Sequence, residues 1–381
     1  MTGAAAGECA GLSGLFIGLM SGTSIDAVDG VLVRFDESGV LAGTLAAASL
    51  AMPVELRRLL TDLQQPGADE LARAALAGNR LADLYAQCVQ ALLAQAAVPS
   101  SEVVALGAHG QTVRHDPAQG FTIQLLNGAR LAEASCIDTV ADLRSADIAA
   151  GGQGAPLVPT FHARVFGSAS ARRAIVNIGG IANVTVLERG SAAPALGFDT
   201  GPGNTLMDAW CERHRGETFD RDGAWAAAGR VDQALLGRML AEPYFSLPAP
   251  KSTGRDLFNP TWLDRLALDR IAPVDVQATL LELTARTIAR ACTEAAADEV
   301  HVCGGGAANG ALMRRLAACV AGIPVGTTAA IGLAPQAVEA TAFAWLARQR
   351  VAREPGNHPA VTGASGLRVL GALHAAPRVR T

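Results

Sequence analysis

Paired cysteines, aromatic residues, an excess of either charge and long apolar runs are all scarce in this 381-residue chain. The seven cysteines (Cys9, Cys88, Cys136, Cys211, Cys292, Cys303 and Cys319) are odd in number and never fall in Cys-x-x-Cys spacing. That pattern indicates neither a disulfide framework nor a zinc site, and points to reduced thiols in a cytoplasmic protein. Aromatics make up 4% of the residues, so Ala, Leu and Val must fill most of the interior. Lysine plus arginine total 31 against 35 acidic residues, a net charge of −4, with the basic residues scattered. Nucleic acid is therefore not an expected partner, since a phosphate backbone selects for a basic patch. Residues 1–14 lack the basic start of a signal peptide. The apolar stretches around 41–52 and 86–98 contain polar residues or fall short of a bilayer span, so no membrane partner is expected.

What the chain has is ample apolar residue, 50% of the total, and a length beyond what one core usually supports. Two domains are expected: 1–148 as an N-terminal lobe, with 340–381 packing near it, and 149–339 as a C-terminal lobe. The stretch Ala149-Ala150-Gly151-Gly152-Gln153-Gly154-Ala155-Pro156 is the best hinge candidate. Strands read at 15–20, 30–35, within 41–52, and at 102–107, 121–125 and 136–141, with helices at 53–63, 69–97 and near 128–134. The pattern then restarts with strands at 174–178, 183–187 and 196–200. Helices at 205–214, 231–241 and 274–297 lead to a strand at 299–303, and further helices read at 308–320 and 335–351. Residues 356–371 carry turn signals and read as irregular. Two segments opening alike suggest a distant duplication of architecture, in α/β layers with buried sheets.

Three glycine-rich loops each follow a short apolar strand: Gly22-Thr23-Ser24-Ile25-Asp26, Gly201-Pro202-Gly203-Asn204 and Gly304-Gly305-Gly306. Turned backbone N–H groups make anion-binding cups, which suits the phosphates of a nucleotide. Any one of these loops is equally a tight steric connection. Asp199, just before the second loop, reads as a turn cap or as a base in a sheltered site. Asp26 reads as a turn-stabilising side chain or a magnesium ligand, and Asn204 as a phosphate-loop residue and the N-cap of the next helix. His109, Gln111, Arg144 and Asp147 follow strand ends, where side chains can meet a ligand. An arginine fork suits a carboxylate, with Arg130 a second candidate for that role; Arg144 reads equally as an ion-pair partner and His109 as a structural histidine. Lys251-Ser252-Thr253-Gly254-Arg255 reads as a polar lid or a solvated basic loop.

Gly18-Leu19-Met20-Ser21-Gly22-Thr23-Ser24-x-Asp26, His109-Gly110-Gln111-Thr112, Asn177-Ile178-Gly179-Gly180, Gly197-Phe198-Asp199-Thr200-Gly201-Pro202-Gly203-Asn204, Lys251–Arg255 and Val302-Cys303-Gly304-Gly305-Gly306-Ala307-x-Asn309 occur in that order. Together, over about 15–371, they resemble the anhydro-N-acetylmuramic acid kinase family of peptidoglycan recycling. The resemblance implies an α/β fold of two ribonuclease-H-like lobes, the sugar kinase/heat-shock chaperone/actin architecture, with a nucleotide cleft between them. It implies ATP and Mg²⁺ as cofactors, and an amino sugar whose 1,6-anhydro bridge is opened with water as O6 is phosphorylated. Asp199 becomes the base. Gly22, Thr23, Ser24, Ile25, Asp26, Ala27, Val28, Asp29, Gly201, Gly203, Asn204 and Gly304–Gly306 line the ATP site, with Asp26 or Asp29 toward Mg²⁺, directly or through water. His109, Gln111, Arg130, Arg144 and Glu339 face the sugar, and a homodimer is one option for assembly. Ala27 stands where relatives usually carry glycine, and Val338 and Thr341 where methionines are expected; none of the three removes a reactive group. Two rivals remain on this fold: a metal-dependent carbamoyl or acyl transferase, and a sensor that binds ATP and sugar without turnover.

Overall fold

The computed structural model describes residues 12–22, 24–320 and 322–377. By contacts the chain forms two compact units, Met1–Leu157 with Glu339–Thr381, and Val158–Val338.

In the first unit, apolar runs form strands β1 (Gly14–Met20), β2 (Ala27–Phe35), β3 (Leu41–Ala51) and β4 (Val103–Ala108). A hairpin of β5 (Gln111–Asp116) and β6 (Phe121–Leu125) follows, then β7 (Thr139–Ala141). The main sheet runs β3-β2-β1-β4-β7, antiparallel from β3 to β1 and parallel from β1 to β7. Leu81, Leu84, Tyr85, Val89 and Leu92 of the long helix Glu70–Ala96 pack with Leu15, Ile17, Leu19 and Leu32 in one core.

In the second unit, β8 (Arg173–Ile178), β9 (Ile181–Leu187), β10 (Pro194–Pro202), β11 (Glu299–Cys303) and β12 (Val325–Thr327) form a sheet ordered β10-β9-β8-β11-β12. Strands β8 to β10 are antiparallel neighbours, while β8, β11 and β12 are parallel. Each unit therefore repeats one order, third-second-first-fourth-fifth, with only the second strand reversed. This is the ribonuclease-H-like arrangement, present twice in an α/β protein. Helix Pro273–Glu294 crosses the sheet with Val276, Leu280, Leu283 and Ile288 in the core.

The C-terminal segment belongs to the first unit. There β13 (Ala372–His374) pairs with β7 at the sheet edge. Helix Val338–Ala352 lies against β1 and β4 with no room for side chains between: a Cβ on Gly18 would stand 1.8 Å from the Ala340 carbonyl oxygen, and one on Gly107 2.0 Å from that of Phe343. Val338 and Thr341 are both fully buried.

The structure departs from the sequence reading where local signals are weak. The strand expected over 136–141 shortens to β7, because Cys136 takes a left-handed φ of 56° and ends the helix Gly128–Ser135. Strand β5 and the helix Val158–Phe166 are additions, and the irregular stretch 356–371 contains the short helix Pro359–Thr362. The helix expected over 231–241 covers Gln233–Leu240, where the Asp232 side chain caps the Leu235 amide.

Candidate active site

The first unit gathers its polar residues at the C-terminal ends of β1, β4 and β7, where parallel strands of α/β sheets present ligand sites. The Ser21 hydroxyl, fully buried, donates to Gln111 Oε1 at 2.7 Å, and Gln111 Nε2 donates to the Gly22 carbonyl at 3.3 Å. His109 Nε2 accepts from Arg144 Nε at 3.2 Å and lies 2.9 Å from Arg144 Nη2. Since arginine only donates, Nδ1 carries the imidazole proton and gives it to the Ser21 carbonyl at 3.3 Å. Burial, then the Arg144 charge, pull the His109 pKa down to about 3, so the ring is neutral. Burial also lowers Arg144, to about 10, against the support of Glu339 and Asp147. Thus the ends of β4 and β7, the start of β5 and the start of the C-terminal helix bring His109, Arg144, Gln111 and Glu339 into one group.

Thr23 lies outside the described residues. Beside it Ile25, at φ 52°, donates its amide to the Gly22 carbonyl at 3.2 Å. Ser24 Oγ donates to Asp26 Oδ1 at 2.6 Å. Ile25 and Val28 point their side chains into the core, so only their backbone is available to a ligand, whereas Ala27 is partly exposed at the start of β2. Burial, opposed by a Ser49 hydrogen bond, and repulsion from Asp26 raise the Asp29 carboxyl above its ordinary range. Two carboxylates in mutual repulsion, one exposed and one partly buried, match the few-carboxylate donor set that Mg²⁺ takes alongside phosphate and water. Among the described residues no three His, Cys, Asp or Glu converge as a metal site. Arg130 is not brought to this group: its guanidinium forms a two-pronged exposed pair with Asp83, at 2.6 and 3.0 Å.

In the second unit Asp199 sits on β10, held at its backbone and at one carboxylate oxygen. Oδ2 accepts from Ser252 Oγ at 2.9 Å and from the Thr253 amide at 3.0 Å. The backbone amide of Asp199 donates to the Lys251 carbonyl at 3.0 Å, and its carbonyl accepts from the Tyr244 hydroxyl at 2.6 Å. Oδ1 has no hydrogen bond among the described residues. Burial pushes the carboxyl above its usual range, while the Thr253 and Ser252 bonds pull it back.

Residues 251–253 are therefore the grip on Asp199. Sequence reading missed this, although one signal stood in plain view: Lys251 is the sole lysine among 31 basic residues. Its Nζ donates to the carbonyls of Tyr244 and Phe245, at 3.1 and 3.4 Å, above the Tyr244 ring.

The second glycine loop departs from the expected amide cup. The amides of Gly203, Asn204 and Thr205 donate to the carbonyls of Gly179 and Gly180, at 2.8 to 3.1 Å, so they are occupied in holding two turns together. Asn204 holds the N-cap position without capping; its Nδ2 donates to the Ile178 carbonyl at 3.2 Å. Gly201 lies against Phe245, where a Cβ would approach the ring to 2.7 Å.

In the third loop Gly304, at φ 77°, has no space for a side chain: a Cβ would fall 2.2 Å from Asn177 Oδ1. Gly306 is as tightly held, its Cβ position 2.3 Å from Ile178 Cγ2. Gly305 differs, since a Cβ there would meet only Asn204 Nδ2, at 3.7 Å. The buried Asn177 Oδ1 has no hydrogen-bond partner among the described residues. Of the three glycines only Gly305 is exposed with room beside its backbone.

No helix among the described residues is long and apolar enough to cross a membrane. The family model for anhydro-N-acetylmuramic acid kinase matches residues 14–376. A protein of that name from Cupriavidus metallidurans is 54% identical over 95% of this chain and 98% of its own length. Another from Bordetella parapertussis is 58% identical over 95% and 96%. Among solved structures, the activator of the 2-hydroxyisocaproyl-CoA dehydratase from Clostridium difficile covers 89% of this chain and 96% of its own, at 13% identity and a TM-score of 0.47, a likeness too loose to carry an argument. With a family match over residues 14–376 and relatives above half identity, this chain belongs to the anhydro-N-acetylmuramic acid kinase family.

Proposed function

We propose that this chain is an ATP-dependent kinase that opens the 1,6-anhydro bridge of anhydro-N-acetylmuramic acid with water and phosphorylates O6. The products are N-acetylmuramic acid 6-phosphate and ADP, in cell-wall recycling. The observation that carries the mechanism is Asp199, with one carboxylate oxygen held twice and the other carrying no hydrogen bond among the described residues. Water attacks the anomeric carbon and gives its proton to Asp199 Oδ1. The bond from that carbon to O6 breaks, O6 takes the γ-phosphoryl group, and ADP leaves. Burial raises the carboxyl's affinity for the proton, while the Thr253 and Ser252 bonds favour its charged form, the form a general base needs.

The remaining residues bind and orient. Arg144, fixed by His109, meets the lactyl carboxylate of the sugar, with Gln111 and Glu339 beside it; Arg130, paired with Asp83, is left out of the site. Gly22, Ser24 and the backbone to Asp29 receive phosphate, and the exposed turn at Gly305, beside Asn204 and close to Asn177, receives the nucleoside side of ATP. Asp26 and Asp29 would hold Mg²⁺, which supplies charge neutralisation on the phosphate oxygens. Reduced cysteines and balanced charge fit a cytoplasmic enzyme, and a homodimer is the assembly proposed.

The test is mass spectrometry of the product formed with Mg-ATP and the anhydro sugar in ¹⁸O-water. A phosphorylated sugar labelled at the anomeric hydroxyl is expected. Label without phosphate would make the protein a hydrolase, and binding of both ligands without product would make it a sensor.

A further inference from the structure

Asp147 is fully buried, two residues into the short helix Ser145–Ala149 that follows Arg144. Three donors converge on its carboxylate. Oδ1 accepts from Asn357 Nδ2 at 2.6 Å and from Thr362 Oγ1 at 2.7 Å, and Oδ2 accepts from the Gly154 amide at 2.8 Å. The Gly154 carbonyl in turn accepts from Arg144 Nη1 at 2.8 Å. Two backbone bonds brace the same loop against the C-terminal segment: Gln153 N to the Thr362 carbonyl at 2.7 Å, and Ser365 N to the Ala150 carbonyl at 2.8 Å. Gly154 is thus gripped at its amide by Asp147 and at its carbonyl by Arg144.

We infer that Asp147 is a positioning residue for sugar recognition: through Gly154 and the strap 357–365 it fixes the Arg144 guanidinium that receives the substrate's carboxylate. The inference rests on the reading of Arg144 given above. Arginine carries a long, mobile side chain, and a bidentate contact gains specificity only if the fork is held before the ligand arrives. His109 holds the Nε and Nη2 side of the fork, and Gly154 holds Nη1. A carboxylate is the side chain that can satisfy the three donors together, because it only accepts. An amide at 147 would turn an N–H toward the Gly154 amide or the Asn357 amide, and one bond would be lost whichever way it faced.

Asp147→Asn tests this. The KM for the anhydro sugar rises about tenfold, while kcat and the KM for ATP stay within about twofold. Arg144→Ala raises the sugar KM as well, and adding Asp147→Asn to it changes nothing further, as expected of residues acting through one contact. Additive effects, or equal changes in both KM values, would overturn the inference. A second readout needs no sugar: in ¹⁵N-histidine-labelled protein, the His109 Nε2 resonance in Asp147→Asn moves toward its position in Arg144→Ala. An unmoved resonance also overturns the inference. If Arg144→Ala leaves the sugar KM unchanged, it is the carboxylate reading of Arg144 that has failed, and the resonance alone decides whether Asp147 positions the guanidinium. Should Asp147→Asn not fold, Thr362→Val produces the same sugar-KM and resonance changes in milder form, and Thr362→Ser restores both. Equal behaviour of the two Thr362 variants counts against the strap.

Discussion

The Ser252 hydroxyl reaches across 53 residues of sequence to donate to Asp199 Oδ2 at 2.9 Å, and the Thr253 amide binds the same oxygen at 3.0 Å. In the mechanism proposed above, that double hold leaves Oδ1 as the oxygen that takes the proton. It also stabilises the charged form of a carboxylate that burial alone would leave protonated over a wider pH range.

Asp199→Asn keeps the fold and the hydrogen bonds at its backbone but removes the proton acceptor. Turnover falls about 10³-fold, within the range that general-base catalysis supplies. Calorimetric ATP affinity stays unchanged. Turnover close to that of the unmodified chain would exclude Asp199 as the base.

Ser252→Ala removes one bond to the ionised carboxylate, so the proton is bound more tightly and the Asp199 pKa rises. The acid limb of the kcat/KM profile reports this group in the free enzyme and moves to higher pH. A limb that stays in place, or moves down, refutes the role given to Ser252.

Gly304 and Gly305 are neighbours with opposite expectations. Gly304→Ala forces a side chain into left-handed backbone and onto Asn177, costing about 1–3 kcal/mol and lowering Tm. Gly305→Ala enters open space, leaves Tm unchanged and raises the KM for ATP several-fold. Reversed outcomes would place the ligand elsewhere.

Glu282 is 2% exposed on the helix Pro273–Glu294, and accepts from both Arg286 and Arg315. Burial alone would raise its pKa, but the two arginines outweigh that and hold it below the usual range. A depressed folded pKa contributes stability above the ordinary Glu value, about 4.3, that is lost as pH falls through the folded value. Arg315→Ala therefore costs about 1–3 kcal/mol at neutral pH, the penalty of a poorly satisfied buried charge. The difference from the unmodified chain shrinks below about pH 4. Denaturant midpoints at several pH values measure it, and a difference independent of pH would contradict the pairing.

Local information in the chain was enough for much of this protein. The run 15–20 is apolar over its whole length, so it reads as a buried strand. The glycine loops read as turns beside strand ends, and the short, specific strings that hold them carried the family resemblance from which the base role proposed for Asp199 comes. Even so, the ending of the helix Gly128–Ser135 at Cys136 was not legible, since a left-handed φ on a non-glycine residue has no local signature.

What the tertiary structure alone decided depends on partners far apart in sequence. The strand order shared by the two units emerges only from pairing, and the seat of the C-terminal helix on Gly18 and Gly107 joins segments more than two hundred residues apart. Whether the amides of Gly203, Asn204 and Thr205 face a ligand or the Gly179-Gly180 turn was invisible until both turns were in place. The same holds for Arg130, drawn to Asp83, and for Arg144, drawn to His109 and Gly154. Sequence determined which groups could react, because reactivity belongs to the residue; the fold decided which of them were already occupied, because hydrogen bonds and burial belong to neighbours.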